Sequence, residues 1–179
     1  MILLDVSVTA FTSFVALYDV SERRIPNWLI LTGVTAAIII NLPKGIHGLS
    51  QSVLGFAIGV SLLVIPFALG WLGAGDVKAF AVIGALLGPA WLPRIAFYTA
   101  VVAGLIGAGY VVVNRLHLQG FKVMWTDFRL AIASFGHIFP EHVTTSQAKQ
   151  RHYMPWAVAL GAGTIIAYYL DPQGRWAGF

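Results

Sequence analysis

Asp19, in the stretch LYDVSERRIPN, and Asp76, in WLGAGDVKAF, are acids set at the edges of apolar runs. Like charges placed close together cannot both ionise, and two such carboxylates come to share one proton. The ionised member can then take a proton from water while the protonated member donates to an oxygen that gains negative charge, which is the chemistry of peptide-bond hydrolysis. Titration belongs to the pair, so neither acid is given a fixed role. The neighbouring Gly73 and Gly75 suit this chemistry, because without side chains they let an extended peptide backbone lie close to Asp76. Plainer readings stand beside it. Asp76 also suits an N-cap of the helix that follows it. An anion at Asp19, near a helix C-terminus, opposes the helix dipole, and Arg23 four residues on would compensate.

The elements that must position these acids are membrane helices. Of 179 residues, 58% are hydrophobic and only 10% charged, and the mean hydropathy is +0.80, far from soluble averages. An all-α, polytopic helix bundle is expected, as a single membrane-embedded domain over 1–179. Apolar runs place spans at about 1–20, 28–43, 51–71, 77–92, 94–114 and 154–171. The first run has no basic start, carries Asp5 and shows no small-residue cleavage site, so it is expected to stay as a helix. In GPAWLPR, Pro89 and Pro93 stop helices and make spans four and five a tight hairpin. Cysteine is absent, which excludes disulfides and thiolate metal sites.

Lysine and arginine bias orients the bundle. With the N-terminus outside, Arg23, Arg24, Lys78, Arg115, Lys122, Arg129, Lys149 and Arg151 fall on the cytoplasmic side, leaving Lys44, Arg94 and Arg175 outside. Both termini are then periplasmic. These charges account for a pI near 9.6 and point to anionic lipid headgroups as partner rather than to nucleic acid. Two complete crossings separate Asp19 from Asp76, so both reach the same cytoplasmic membrane edge. Acids at or inside spans are costly and usually face a bundle interior or watery cavity.

DVSERRIPN at 19–27 together with GAGDVK at 73–78 resembles the type IV prepilin peptidases, polytopic aspartyl proteases of the GxGD type, and MPWAVALGAG at 154–163 adds to the resemblance. It covers essentially all six spans and is nearest the short Flp or Tad form. It implies that Asp19 and Asp76 are the catalytic pair. It also implies a prepilin or pseudopilin substrate, cut at the cytoplasmic face of the bacterial inner membrane between a short basic leader and the apolar helix after it. Longer family members methylate the new N-terminus and carry an added cytoplasmic region, often with zinc-binding cysteines. Here the first span begins at Met1 and cysteine is absent, so a peptidase without that methyltransferase region is expected. Ala157 follows Pro155 and Trp156 where family members often have glycine, a change expected to bear on helix packing and not on the acids.

Around the acids, Pro26 separates span one from span two, which makes IPN a turn and helix-start signal, and Asn27 caps or orients. Lys78, two positions past Asp76, points away from it on a helix; it snorkels to headgroups or, by its match to the family motif, serves near the site. The histidines at 47, 117, 137, 142 and 152 include no HExxH, so no metal or cofactor is expected. Phe121, Met124, Trp125, Phe128, Ile132, Phe135 and Phe139 recur at helical spacing within 116–153, which predicts an interfacial cytoplasmic helix. Gly104, Gly107, Ala108, Gly161 and Gly163 read as close helix packing, which leaves oligomeric state open. Two other classes stay in view. A small ion- or proton-coupled transporter would use the same two acids as a relay, and a scaffold would have little use for either.

Overall fold

The computed structural model of the chain describes residues 2–22, 24–68, 72–114 and 156–173. Their regular parts are α1 (Ile2–Glu22), α2 (Asn27–Asn41), α3 (Gly45–Ala68), α4 (Ala74–Leu87), α5 (Leu92–Asn114) and α6 (Trp156–Leu170), with short 3₁₀ turns at Leu42–Lys44 and Pro89–Trp91. No strand occurs among the described residues. The chain divides into two compact units, Met1–Ile106 with Pro155–Phe179, and Gly107–Met154. Of the second unit only the end of α5 is described, and the interfacial helix expected within 116–153 lies outside the described residues.

Each helix answers to one of the apolar runs, but the ends differ for local reasons. α3 starts at Gly45, earlier than hydropathy placed it, because the polar stretch after Lys44 is already helical. Gly45 has φ 69°, a conformation that costs glycine little, and it lets the chain reverse within the Leu42–Lys44 turn. α4 starts at Ala74 and ends at Leu87, because Gly88 at φ 90° breaks it before Pro89. Pro93 does not stop a helix; it sits in the first turn of α5, where its missing N–H leaves no bond unmade.

Three stretches are long and apolar enough to cross a membrane: Ile2–Glu22, Asn27–Ala68 and Pro89–Gly109. α6 is apolar but shorter. α4 has 14 residues, a rise of about 21 Å against a hydrocarbon core of about 30 Å. Its length suits a core helix, and its burial agrees: Ala79, Phe80, Ala81, Val82 and Ile83 are all fully buried. α2 and α3 pack most heavily on α4, while α6 packs chiefly on α1.

Glycines set the approach distances. Gly55 and Gly84 face each other so closely that a Cβ on either would collide with the other's carbonyl oxygen, and a Cβ at Gly59 would lie 2.8 Å from the Ala81 Cα. These two α3 glycines, four apart, bring the α3 and α4 backbones into contact. On α2, a Cβ at Gly33 would lie 2.5 Å from Val82 and 2.6 Å from Phe11, so that glycine seats an α1 aromatic and an α4 valine together. Gly33 meets Val82 while Asn41 meets Ala85, so α2 runs parallel to α4. Gly59 meets Ala81 while Ser52 meets Ala85, so α3 runs antiparallel to it. Buried Asn41 is satisfied within this seam, donating to the Ala37 and Ala85 carbonyls at 3.0 and 3.3 Å and accepting from Lys44 Nζ at 2.8 Å. Of the small residues read as packing sites, Gly161 lies against α1 near Thr12 and Gly163 against α5 at Thr99, whereas no described atom lies within 4 Å of a Cβ at Gly104.

Candidate active site

Four helix ends converge where the two acids sit: the C-terminal turn of α1 and the N-termini of α2, α4 and α6. Asp76 lies in the first turn of α4 and half-buried. It is not the N-cap. Gly73 holds that position, with extended backbone at φ −79° and ψ 153°, and its carbonyl accepts from the Asp76 and Val77 amides at 3.1 and 3.4 Å. The Asp76 carboxylate reaches back and accepts from the Gly73 N–H at 3.0 Å, the half of a capping box that an N3 acid supplies. Burial pushes the Asp76 carboxyl up to about 6; the Gly73 amide opposes that rise and the charge on Asp19 adds to it. The last cause ties the two acids together, since a carboxylate raises its neighbour only when it is near enough to repel the neighbour's charge.

Asp19, in the last turn of α1 and half-buried, accepts from the backbone N–H of Ala157 at 3.0 Å. Ala157 is the second residue of α6, so the acid that opposes the dipole of its own helix sits at the favourable end of another. One expectation is corrected: Ala157, expected to bear on helix packing and not on the acids, binds one of them through its main chain. Arg23, read as the compensating charge, lies outside the described residues.

The glycines of the motif have occupants. A Cβ at Gly75 would lie 3.1 to 3.5 Å from the side chain of Ile25, and one at Gly73 would lie 3.2 Å from Asp76 Oδ2. Their missing side chains thus make room for the protein's own groups: Ile25 docks on the first turn of α4, and the Asp76 carboxylate folds over Gly73. Gly73 itself is exposed. Pro26, at φ −70°, is the N-cap of α2, and its carbonyl accepts from the Leu29 and Ile30 amides. Asn27 makes no cap; its Oδ1 accepts from Lys78 Nζ at 3.2 Å. Lys78 therefore points away from Asp76, as helical spacing requires, but towards the IPN turn. Together the Ile25–Gly75 contact and the Lys78–Asn27 bond hold the turn after Asp19 against the turn that carries Asp76. Tyr18 and Trp28 meet edge to face at 5.8 Å across the same corner. No group of three or more metal-ligating side chains occurs among the described residues.

Ile25 is a site residue that sequence reasoning did not single out, and Ala157 is one that it read only for helix packing. The spacing of Gly73 and Asp76 is that of N-cap and N3 and carried a signal for the first contact of Asp76. No local pattern links Asp19 to Ala157.

The model of the type IV leader peptidase family matches residues 6–109, which hold both acids. The chain is 27% identical over 156 residues to the prepilin leader peptidase/N-methyltransferase of Bacillus subtilis (strain 168), an alignment over 86% of this chain and 50% of that protein. It thus spans half the length of the curated relative it matches. No solved structure matches it. With the family model covering more than half of the chain and both motif segments, the protein belongs to the type IV leader peptidase family.

Proposed function

We propose that the chain, acting as one membrane-embedded peptidase domain over 1–179, is an aspartyl endopeptidase that removes the short leader of Flp-type prepilins or pseudopilins at the cytoplasmic face of the inner membrane. The observation that carries this reading is the convergence of the two acid-bearing helix ends, where Ile25 docks on Gly75 and Lys78 Nζ donates to Asn27 Oδ1; the charge on Asp19 adds to the rise of the half-buried Asp76 carboxyl to about 6. Water attacks the scissile carbonyl carbon as the ionised acid takes its proton, and the protonated acid donates to the carbonyl oxygen. Collapse of the tetrahedral intermediate breaks the C–N bond, with a proton passing to the leaving amine. Exposed Gly73 leaves one flank of Asp76 open to an unwound substrate backbone. Lys78, Asn27, Pro26 and Gly75 serve by holding the two acid-bearing turns together.

The decisive experiment co-expresses a Flp-type prepilin with the wild-type protein, Asp19→Asn or Asp76→Asn and reads the pilin N-terminus by mass spectrometry. Cleavage by the wild type alone is expected, with at least about a thousandfold loss in either variant, since removing one member of a concerted acid–base pair removes most of its catalysis. Cleavage that survives in both variants overturns the dyad. An intact leader with folded wild-type protein turns attention to the transporter reading.

A further inference from the structure

α6 meets α1 at both ends and at its middle. At the acid end the Ala157 amide donates to Asp19. Midway, a Cβ at Gly161 would lie 3.1 Å from the Thr12 carbonyl oxygen and 3.3 Å from the Ala16 Cβ, so the two backbones are nearly in contact. At the far end the Tyr168 hydroxyl bonds Asp5, and the Tyr169 hydroxyl lies 2.9 Å from Thr9 Oγ1. α5 holds the same end: the Tyr98 hydroxyl donates to Asp171 Oδ2 at 2.9 Å, and Arg94 Nη1 donates to the Asp171 and Pro172 carbonyls at 3.2 and 2.7 Å. Asp171 is buried, and Tyr168 packs on Trp91 at 5.4 Å. Hydroxyls and carboxylates so placed among apolar helices are costly unless they bond, yet this group stands at the opposite end of α1 from the reacting acids and takes no part in hydrolysis.

A helix is a stiff rod with a rise of about 1.5 Å per residue. A slide of one residue at the far end would carry the Ala157 amide out of hydrogen-bond range of Asp19. Resting on the peptidase reading above, we propose that α6 is the positioning strap of the dyad: the hydroxyls of Tyr168 and Tyr98, bonded to Asp5 and Asp171, set the register at which the Ala157 amide holds the Asp19 carboxylate. Ala157, Tyr98, Tyr168 and Asp5 are positioning residues; none of them touches the substrate.

The test has one readout that needs no activity. The Ala157 amide proton is followed by NMR of the full-length protein in detergent micelles with amide-labelled alanine, and Ala157→Gly identifies its signal. A hydrogen bond to a carboxylate holds that proton downfield, so Asp19→Ala is expected to move it upfield. Tyr98→Phe/Tyr168→Phe, which keeps both rings, is expected to move it the same way and to lower kcat for prepilin cleavage about tenfold at unchanged KM, since small displacements of a reacting group cost rate rather than binding. Tyr168→Phe alone gives the same direction at smaller size and serves where the double variant does not fold. An Ala157 amide indifferent to Asp19→Ala, or a double variant with amide and kcat both unchanged, overturns the strap. A wild type that cleaves no prepilin overturns the peptidase reading instead, and the amide shifts still decide whether the far end of α6 governs its hold on Asp19.

Discussion

The carboxyl of Asp76 is pulled three ways, and their balance predicts a pH dependence. Burial favours the neutral form and dominates, the negative charge of Asp19 acts in the same direction, and the Gly73 amide favours the ionised form. The group therefore carries its proton below about 6 and loses it above. If the dyad needs one shared proton, kcat/KM for leader cleavage declines as pH rises through that region, and kcat declines at higher pH because bound substrate removes more water from the acid. Replacing Asp19 by asparagine removes a cause that raises Asp76, so its titration, followed by carbonyl infrared absorption, moves down from about 6. A midpoint that does not move in Asp19→Asn means that the two acids do not act on each other.

Among the elements, α4 carries both the core and one acid, so its packing is part of the site. Gly55 and Gly84 leave no room for a methyl group between α3 and α4, whereas no described atom approaches a Cβ at Gly104 on α5. Gly55→Ala is expected to cost about 1–3 kcal/mol or more through overpacking, read as lost thermal stability in detergent with loss of cleavage. Gly104→Ala should lie within about 1 kcal/mol of the wild type. Equal effects at the two positions would contradict the placement of α3 on α4. The contrast also shows where glycine content is informative. Both residues sit in apolar runs of similar composition, and only the neighbour across the seam distinguishes them.

At the scale of the whole molecule the basic residues and the acid site make one expectation about direction. If the cytoplasmic face holds Arg23, Arg24 and Lys78, it also holds the corner where α1 ends and α4 begins. The chain has no cysteine, so single cysteines report on sidedness without background. Ser21→Cys, exposed beside Asp19 in sequence, is expected to react with a membrane-impermeant maleimide in inverted vesicles and not in intact spheroplasts, and Lys44→Cys the reverse. Labelling with the opposite preference inverts the topology and puts the site on the periplasmic side.

Class, helix order and the two acids were open to sequence reasoning because each rests on local chemistry. Apolar runs must be helices where no water can bond the backbone, and an acid at the edge of such a run is costly enough to mark itself. The motif segments carried the family. What each residue does in the site was not open in the same way. Gly75 makes room for Ile25, Asn27 accepts from Lys78, and Asp19 is held by the amide of Ala157. These partners come from different helices, and no periodicity records them. Hydropathy likewise treated α4 as one more apolar run, although at 14 residues it is the buried centre of the bundle. Along a chain, hydrophobicity measures only preference for an apolar surrounding, and lipid and protein interior satisfy it equally. Only the tertiary packing of α1, α2, α3 and α6 around α4 separates the two, and the same packing brings Asp19 to Asp76.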